Sequence, residues 1–242
     1  MIDEISKHTS NIAESAINYL KSVKVSGKTR RMYEDVLFFF IESLLSDPSA
    51  VTEDENGGFV LSDDWDAYYG GAIDNFIDWW LPRKVMDDTL QIRAPGILRK
   101  WIVWCHQQNY FDDEHYEDFL EALPQRKSKE VKRLQKAADL LYHLHTPNPG
   151  AWLTGEVDNI IPITRGNQPE ALDEGYMKVT RLEKDCCYLE NEEEKEIGPV
   201  KLSMELVKTL KVGDVVNVTV GRYGQYWNVL ESGNVYGDKT IF

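Results

Sequence analysis

At 242 residues the chain is long enough for two ordinary domains or one large one. Its 42% hydrophobic, 11% aromatic and 28% charged residues exclude a disordered protein, and no apolar run approaches the ~20 residues of a membrane span. The net charge of −14 argues against a non-specific nucleic-acid binder, because the field of the whole molecule repels phosphate, so any nucleic-acid reading rests on local basic patches.

The opening MIDEISKHTS lacks the basic-then-apolar order of a signal peptide. The three cysteines are an odd number, with Cys186 and Cys187 adjacent, and specify no disulfide framework. A cytoplasmic protein without membrane association is the expectation.

Up to His145 the periodicity is helical. A first helix is predicted over roughly 3–22, with Ile5, Ile12, Ala13, Ile17 and Leu20 inward. Over 28–45, Tyr33, Val36, Leu37, Phe40, Ile41 and Leu44 make a full amphipathic stripe. The acidic, Gly-rich stretch 46–58 reads as a loop, and Ser62 before Asp63 and Asp64 as a helix cap. Further helices are predicted over 72–81, stopped by Pro82, and over 95–108, with Pro95 in the first turn. Two more follow, at 113–122 and about 127–145.

Residues 146–150, Thr-Pro-Asn-Pro-Gly, form a break. Beyond it, alternation takes over. Tyr176, Lys178 and Thr180 alternate with Met177, Val179 and Arg181, and Val216, Val218 and Val220 share one strand face. A leucine-rich segment holds Leu202, Met204, Leu206 and Leu210. Glycine turns follow Arg222 and Ser232. The predicted fold is α+β with two segregated domains: an all-α bundle over 1–145, a linker at 146–150, and a small antiparallel β-barrel over 151–242. Both domains are acidic, with 17 Lys and Arg against 25 Asp and Glu in 1–145, and 10 against 16 in 146–242.

Two stretches carry a resemblance. Residues 28–40 place Thr29, Tyr33, Leu37 and Phe40 along one helix, and Thr89 precedes Ile97-Leu98-Arg99-Lys100-Trp101-Ile102 and the aromatic pair Tyr110-Phe111. Over about 10–123 the chain resembles the core-binding (SAM-like) domain of phage integrases and tyrosine recombinases. The resemblance implies duplex DNA as partner and Arg30, Arg31, Arg99 and Lys100 as DNA-binding residues. It departs from the family at Pro95-Gly96, which should delay or kink the later helix, and in its acidic balance. All five histidines precede residue 146 and no His-x-x-Arg element follows, so the strand-cleaving Arg, Lys, His and Tyr domain is absent. No enzyme activity and no cofactor are expected. The phrase Val212-Gly213-Asp214-Val215-Val216 loosely resembles small barrels of the OB or S1 kind, which implies nucleic-acid contact from Arg222, Tyr223, Tyr226 and Trp227, or a partner surface there.

The strongest local signal is residues 125–136, six bases and one acid. On a helix, Lys129, Lys132, Arg133 and Lys136 share one face, opposite Val131, Leu134, Ala138 and Leu141. That face reads either as a solvated surface with bases paired to acids, or as a phosphate-contact helix. Lys21, Lys24, Lys28, Arg30 and Arg31 form a second basic cluster. The aromatics Trp65, Tyr68, Tyr69, Phe76, Trp79, Trp80, Trp101 and Trp104 are assigned to core packing. Asp63, Asp64 and Asp66 mark a helix start without the spacing of a calcium loop, and His143 and His145 diverge on a helix, so no metal site is read.

The expected function is therefore a non-catalytic DNA-binding protein. The competing expectation is an acidic adaptor docking a basic protein through Asp63, Asp64, Asp66 and the loop 190–196. Basic residues gathered without acids in pairing distance favour the first; internal salt bridges favour the second.

Overall fold

The computed structural model describes residues 5, 10–54, 57–68, 70–85, 88–123, 128–145 and 168–238. The chain forms two compact units, Met1–Lys127 and Ser128–Phe242. The break read at 146–150, and the first β residues beyond it, lie outside the described residues.

In the first unit, α1 (Asn11–Ser22) is capped by the Ser10 hydroxyl, which accepts from Ala13 N, and α2 spans Gly27–Leu44. Every residue of the predicted α2 stripe is buried. The presumed loop 46–58 contains a strand: β1 (Val51–Glu53) pairs antiparallel with β2 (Phe59–Leu61). The cap read at Ser62 sits two residues later. Asp64 caps the 3-10 turn Trp65–Ala67 by accepting from Asp66 N, while the Ser62 hydroxyl accepts from Asp64 N.

Pro82 does not stop the next helix. The path runs as α3 (Gly70–Asn75), a π-helical segment Phe76–Trp80, and α4 (Leu81–Lys84), with Leu81 N donating back to Phe76 O. A proline ring clashes with the carbonyl four residues earlier in a regular helix, and the wider turn accommodates it. Pro95 likewise lies inside α5, which spans Asp88–Gln107 and begins beside Thr89 rather than at Pro95. Helix α6 (Asp113–Ala122) completes the unit, its Asp112 cap accepting from His115 N. Phe40, Phe76, Trp65 and Trp101 meet in the core.

In the second unit, α7 (Ser128–His145) comes first, so the predicted division after residue 145 is corrected to one before Ser128. The physical reason is its apolar face. Leu134, Ala137 and Leu141 join a core with Met177, Val179, Leu189, Val218 and Val235. The strands are β3 (Ala171–Leu182), β4 (Cys186–Glu190), β5 (Glu196–Lys201), β6 (Val215–Tyr223) and β7 (Tyr226–Tyr236), with α8 (Met204–Thr209) between β5 and β6. Pairing runs β3-β4-β5-β7-β6 and closes between β6 and β3. The sheet is not wholly antiparallel: β5 meets β7 in a parallel pairing at Val200 and Trp227. The predicted leucine-rich segment is α8 and its flanks, with the Ser203 hydroxyl capping by accepting from Leu206 N.

Candidate nucleic-acid interface

The eight basic residues implicated in DNA binding separate into three situations. At the α1–α2 corner, Tyr19 stacks on Tyr33 at 6.1 Å and leans on Trp104 of α5 at 5.6 Å. Lys100 Nζ of α5 donates to Tyr33 Oη at 2.9 Å, so Lys100 joins the start of α2, one turn beyond Arg30. Arg30 Nε pairs with Glu34 at 3.1 Å, whereas Arg31 is exposed and makes no ion pair among the described residues. Lys21, Lys24 and Lys28, on or beside the turn between the two helices, are exposed and equally unpaired among those residues. Arg99 is exposed, and no contact among the described residues joins it to the corner. The Tyr19 hydroxyl has its pKa pushed up by burial first and by Tyr33 second, which keeps it neutral within the corner.

On α7 the basic face is not a phosphate surface at Arg133. Its guanidinium turns into the barrel unit and grips the buried carboxylate of Asp214, Nη1 to Oδ2 at 2.6 Å and Nη2 to Oδ1 at 2.8 Å. It also donates to Thr209 O at 2.9 Å and pairs with Glu130. Glu130 in turn accepts from Lys211 Nζ at 2.9 Å. The hydrogen bond from Arg133, aided by Lys211, draws the Glu130 pKa down to about 2 against the opposing effect of burial. Burial would lower the Arg133 pKa, but the bonds to Asp214 and Glu130 outweigh it and raise it. Lys136 pairs with Glu205 at 2.7 Å. Lys129 and Lys132 alone of the four stay exposed without an ion pair among the described residues.

The β hairpin is also corrected. Trp227, 7% exposed, belongs to the barrel core opposite Val200 and cannot stack on a ligand. Arg222 is held by Glu170 at 3.3 Å, Tyr223 is half-buried, and Tyr226 lies beneath Lys201 Nζ at 4.1 Å. Sequence reasoning missed a neighbouring stack, Arg181 over Tyr188 at 3.5 Å. Alternation would turn Arg181 inward with Val179. A register shift between Val179 and Arg181 turns it out, opposite Tyr188. Tyr188 lies flat on β5 at Gly198, where a Cβ would come within 2.6 Å of its ring. Both stacks are tied to acids: Arg181 lies 3.7 Å from Glu183, and Lys201 lies 2.8 Å from Asp185.

Of the acids in the competing reading, Glu192, Glu193 and Glu194 of loop 190–196 are exposed, whereas the three aspartates are engaged within the first unit. Asp63 accepts from Asn11 N at 3.1 Å, and Asp66 accepts from His115 Nε2 at 2.8 Å, while His115 Nδ1 meets Asp112 at 2.7 Å. A carboxylate at each ring nitrogen favours the imidazolium over either neutral tautomer. Partial burial opposes the charge, yet the bonds to Asp112 and Asp66 prevail and raise the His115 pKa above 6.5. A group raised in the folded state stabilises the fold fully below its ordinary pKa, and that contribution is lost as pH rises through the folded value. The urea midpoint of the helical unit should therefore fall as pH is raised from 6 to 9, and His115→Gln should flatten that dependence.

His143 Nδ1 faces Asp139 O, and His145 Nε2 faces Ser232 Oγ, so the two rings are engaged apart. No group of three or more metal-ligating side chains forms among the described residues. Cys105, Cys186 and Cys187 are buried free thiols, and burial pushes Cys105 up to about 12. No protein-family profile, no curated protein and no solved structure matches the chain.

Proposed function

We propose that the chain is a non-catalytic DNA-binding protein whose helical unit contacts the phosphate backbone through the α1–α2 corner: Lys21, Lys24, Lys28 and Arg31, with Arg30 and Lys100 beside Tyr33 and Arg99 as an outlying contact. One observation carries this reading. Of the ten lysines and arginines among the described residues of the helical unit, only Arg30 is ion-paired; in the barrel unit seven of twelve are. Cations that make no ion pair among the described residues, in an otherwise acidic unit, keep their charge available to phosphate. The integrase-like resemblance points to the same corner. Lys129 and Lys132 remain auxiliary candidates, and Arg133 and Lys136 leave the set.

The barrel is read as an accessory unit of OB type, supported by its five closed strands with a helix between the third and fourth. The adaptor reading has less support in the first unit, since Asp63, Asp64 and Asp66 already serve as internal acceptors, and it keeps the exposed Glu192, Glu193 and Glu194 of loop 190–196 in the second.

Anisotropy of a fluorescent duplex of about 25 base pairs, followed across a salt series, tests the proposal. Each lost phosphate contact removes about 0.9 from the log–log salt slope, so a Lys24→Ala, Lys28→Ala, Arg31→Ala triple variant should lower it by about 2–3. Lys136→Ala should leave it unchanged. Absence of binding at low salt, or a slope unaffected by the triple variant, would refute the corner as a DNA contact.

A further inference from the structure

The π-helical segment does something to the surface that a regular helix would not. Phe76 and Ile77 are buried, as is Leu81; Trp80 packs against the core with its ring 6.0 Å from Phe76 but keeps part of its surface exposed, and Trp79, assigned to the core from sequence, is half-exposed. Trp80 lies 5.9 Å from Phe39 of α2, itself 5.5 Å from Phe38, so a half-exposed aromatic strip crosses from α2 to the widened turn. Cations stand over both indoles: Arg83 over Trp79 at 4.8 Å, and Lys84 over Trp80 at 6.0 Å. Both cations are exposed, and neither forms an ion pair among the described residues. The acid of the same turn, Asp78, has its Oδ1 buried in the interior. The turn thus sends a carboxylate oxygen inward and two cations outward, beside two large π faces.

We infer that this strip, Phe38, Phe39, Trp79 and Trp80 with Arg83 and Lys84, binds single-stranded nucleic acid by stacking unpaired bases on the indoles and holding the adjoining phosphates with the two cations. The charge is complementary to phosphate. The ring faces are complementary to bases, which all present a π surface regardless of sequence. A duplex hides its base faces in the stack and offers nothing for these rings to take up. The strip therefore supplies a different contact from the phosphate-binding corner, and it stands whether or not the corner binds duplex.

The test uses the full chain and a fluorescein-labelled 15-mer of deoxythymidine, beside the 25-base-pair duplex. Arg83→Ala with Lys84→Ala alters only exposed side chains, and Trp79→Ala is checked for folding by circular dichroism. Each is expected to weaken binding of the single strand at least fivefold while changing duplex binding less than twofold. Trp79→Phe, which keeps a stacking ring, should recover most of the affinity. In the wild type, the single strand should quench part of the tryptophan emission, and Trp79→Phe should reduce that quench. Single-strand binding unaltered in Arg83→Ala/Lys84→Ala and in a folded Trp79→Ala overturns the inference. So does capture of an acidic decapeptide with no binding of the oligonucleotide, which would make the strip a protein-docking surface. Failure of the corner appears separately, as loss of the duplex arm with the single-strand arm intact.

Discussion

Arg133→Ala is expected to destabilise the barrel unit by about 3–5 kcal/mol, measured as a shift in the urea unfolding midpoint at constant slope. Asp214 is 2% exposed, and in the wild type Arg133 supplies both of its oxygens with a charged donor. Removing the guanidinium leaves a buried carboxylate with Lys211 N, at 2.7 Å, as its remaining donor, together with Thr209 O deprived of its bond from Arg133. Breaking one side of such a pair is costly because the other side stays desolvated, whereas removing both partners together is not. Arg133→Met combined with Asp214→Leu should therefore recover more than half of the loss. Glu130 adds a pH signature. Its pKa falls from 4.5 to about 2 on folding, so its stabilisation is present above pH 4.5 and disappears as pH falls toward 2. Glu130→Gln should flatten that acid limb. The same substitutions bear on function, since Arg133→Ala should not change DNA affinity under conditions where the unit stays folded.

Trp65→Ala is expected to cost the helical unit about 3–5 kcal/mol. The indole is 8% exposed and lies within 6.4 Å of five other rings: Tyr68, Trp101, Tyr110, Phe111 and Phe119. Four of these belong to segments far along the chain, on α5, the turn after it and α6. Trp65 thus holds the 3-10 turn against helices that local hydrogen bonds do not reach. Truncation leaves a cavity that several aromatic neighbours, each fixed by its own partners, cannot collapse to fill. Trp65→Phe should lose less, about 1–2 kcal/mol, because part of the ring contact survives. Chemical unfolding followed by circular dichroism at 222 nm distinguishes the two variants.

What the sequence conveyed was largely which face of each element is apolar. The α2 stripe from Tyr33 to Leu44 is buried residue for residue, and Val216, Val218 and Val220 line the barrel interior. What it did not convey was the partner of each face. The apolar stripe of α7 was legible, but a stripe is equally at home on a bundle or a barrel, and only the tertiary structure places Leu134 and Leu141 beside Val218 and Val235. That ambiguity also misplaced Arg133, whose position on the polar side of the helix says nothing about a carboxylate 81 residues later. Prolines misled for a second reason. Pro82 and Pro95 forbid one hydrogen bond each, which a π turn or a long, well-packed helix tolerates. Arg181 was hidden by a bulge, since period-two reading fails wherever one strand carries an extra residue.

The attachment of α7 to the barrel also fixes where the chain can be divided in gene fusion or evolutionary exchange. A barrel transplanted from residue 146 onward would arrive without the stripe that covers Leu206 and Val235 and without the counter-ion of Asp214. It would therefore be prone to aggregate in its new host. A transplant beginning at Ser128 carries its own lid and its own charge balance. The inheritable module on the C-terminal side is therefore α7 followed by five strands with α8 between the third and fourth, and relatives that share this barrel should be sought with α7 attached.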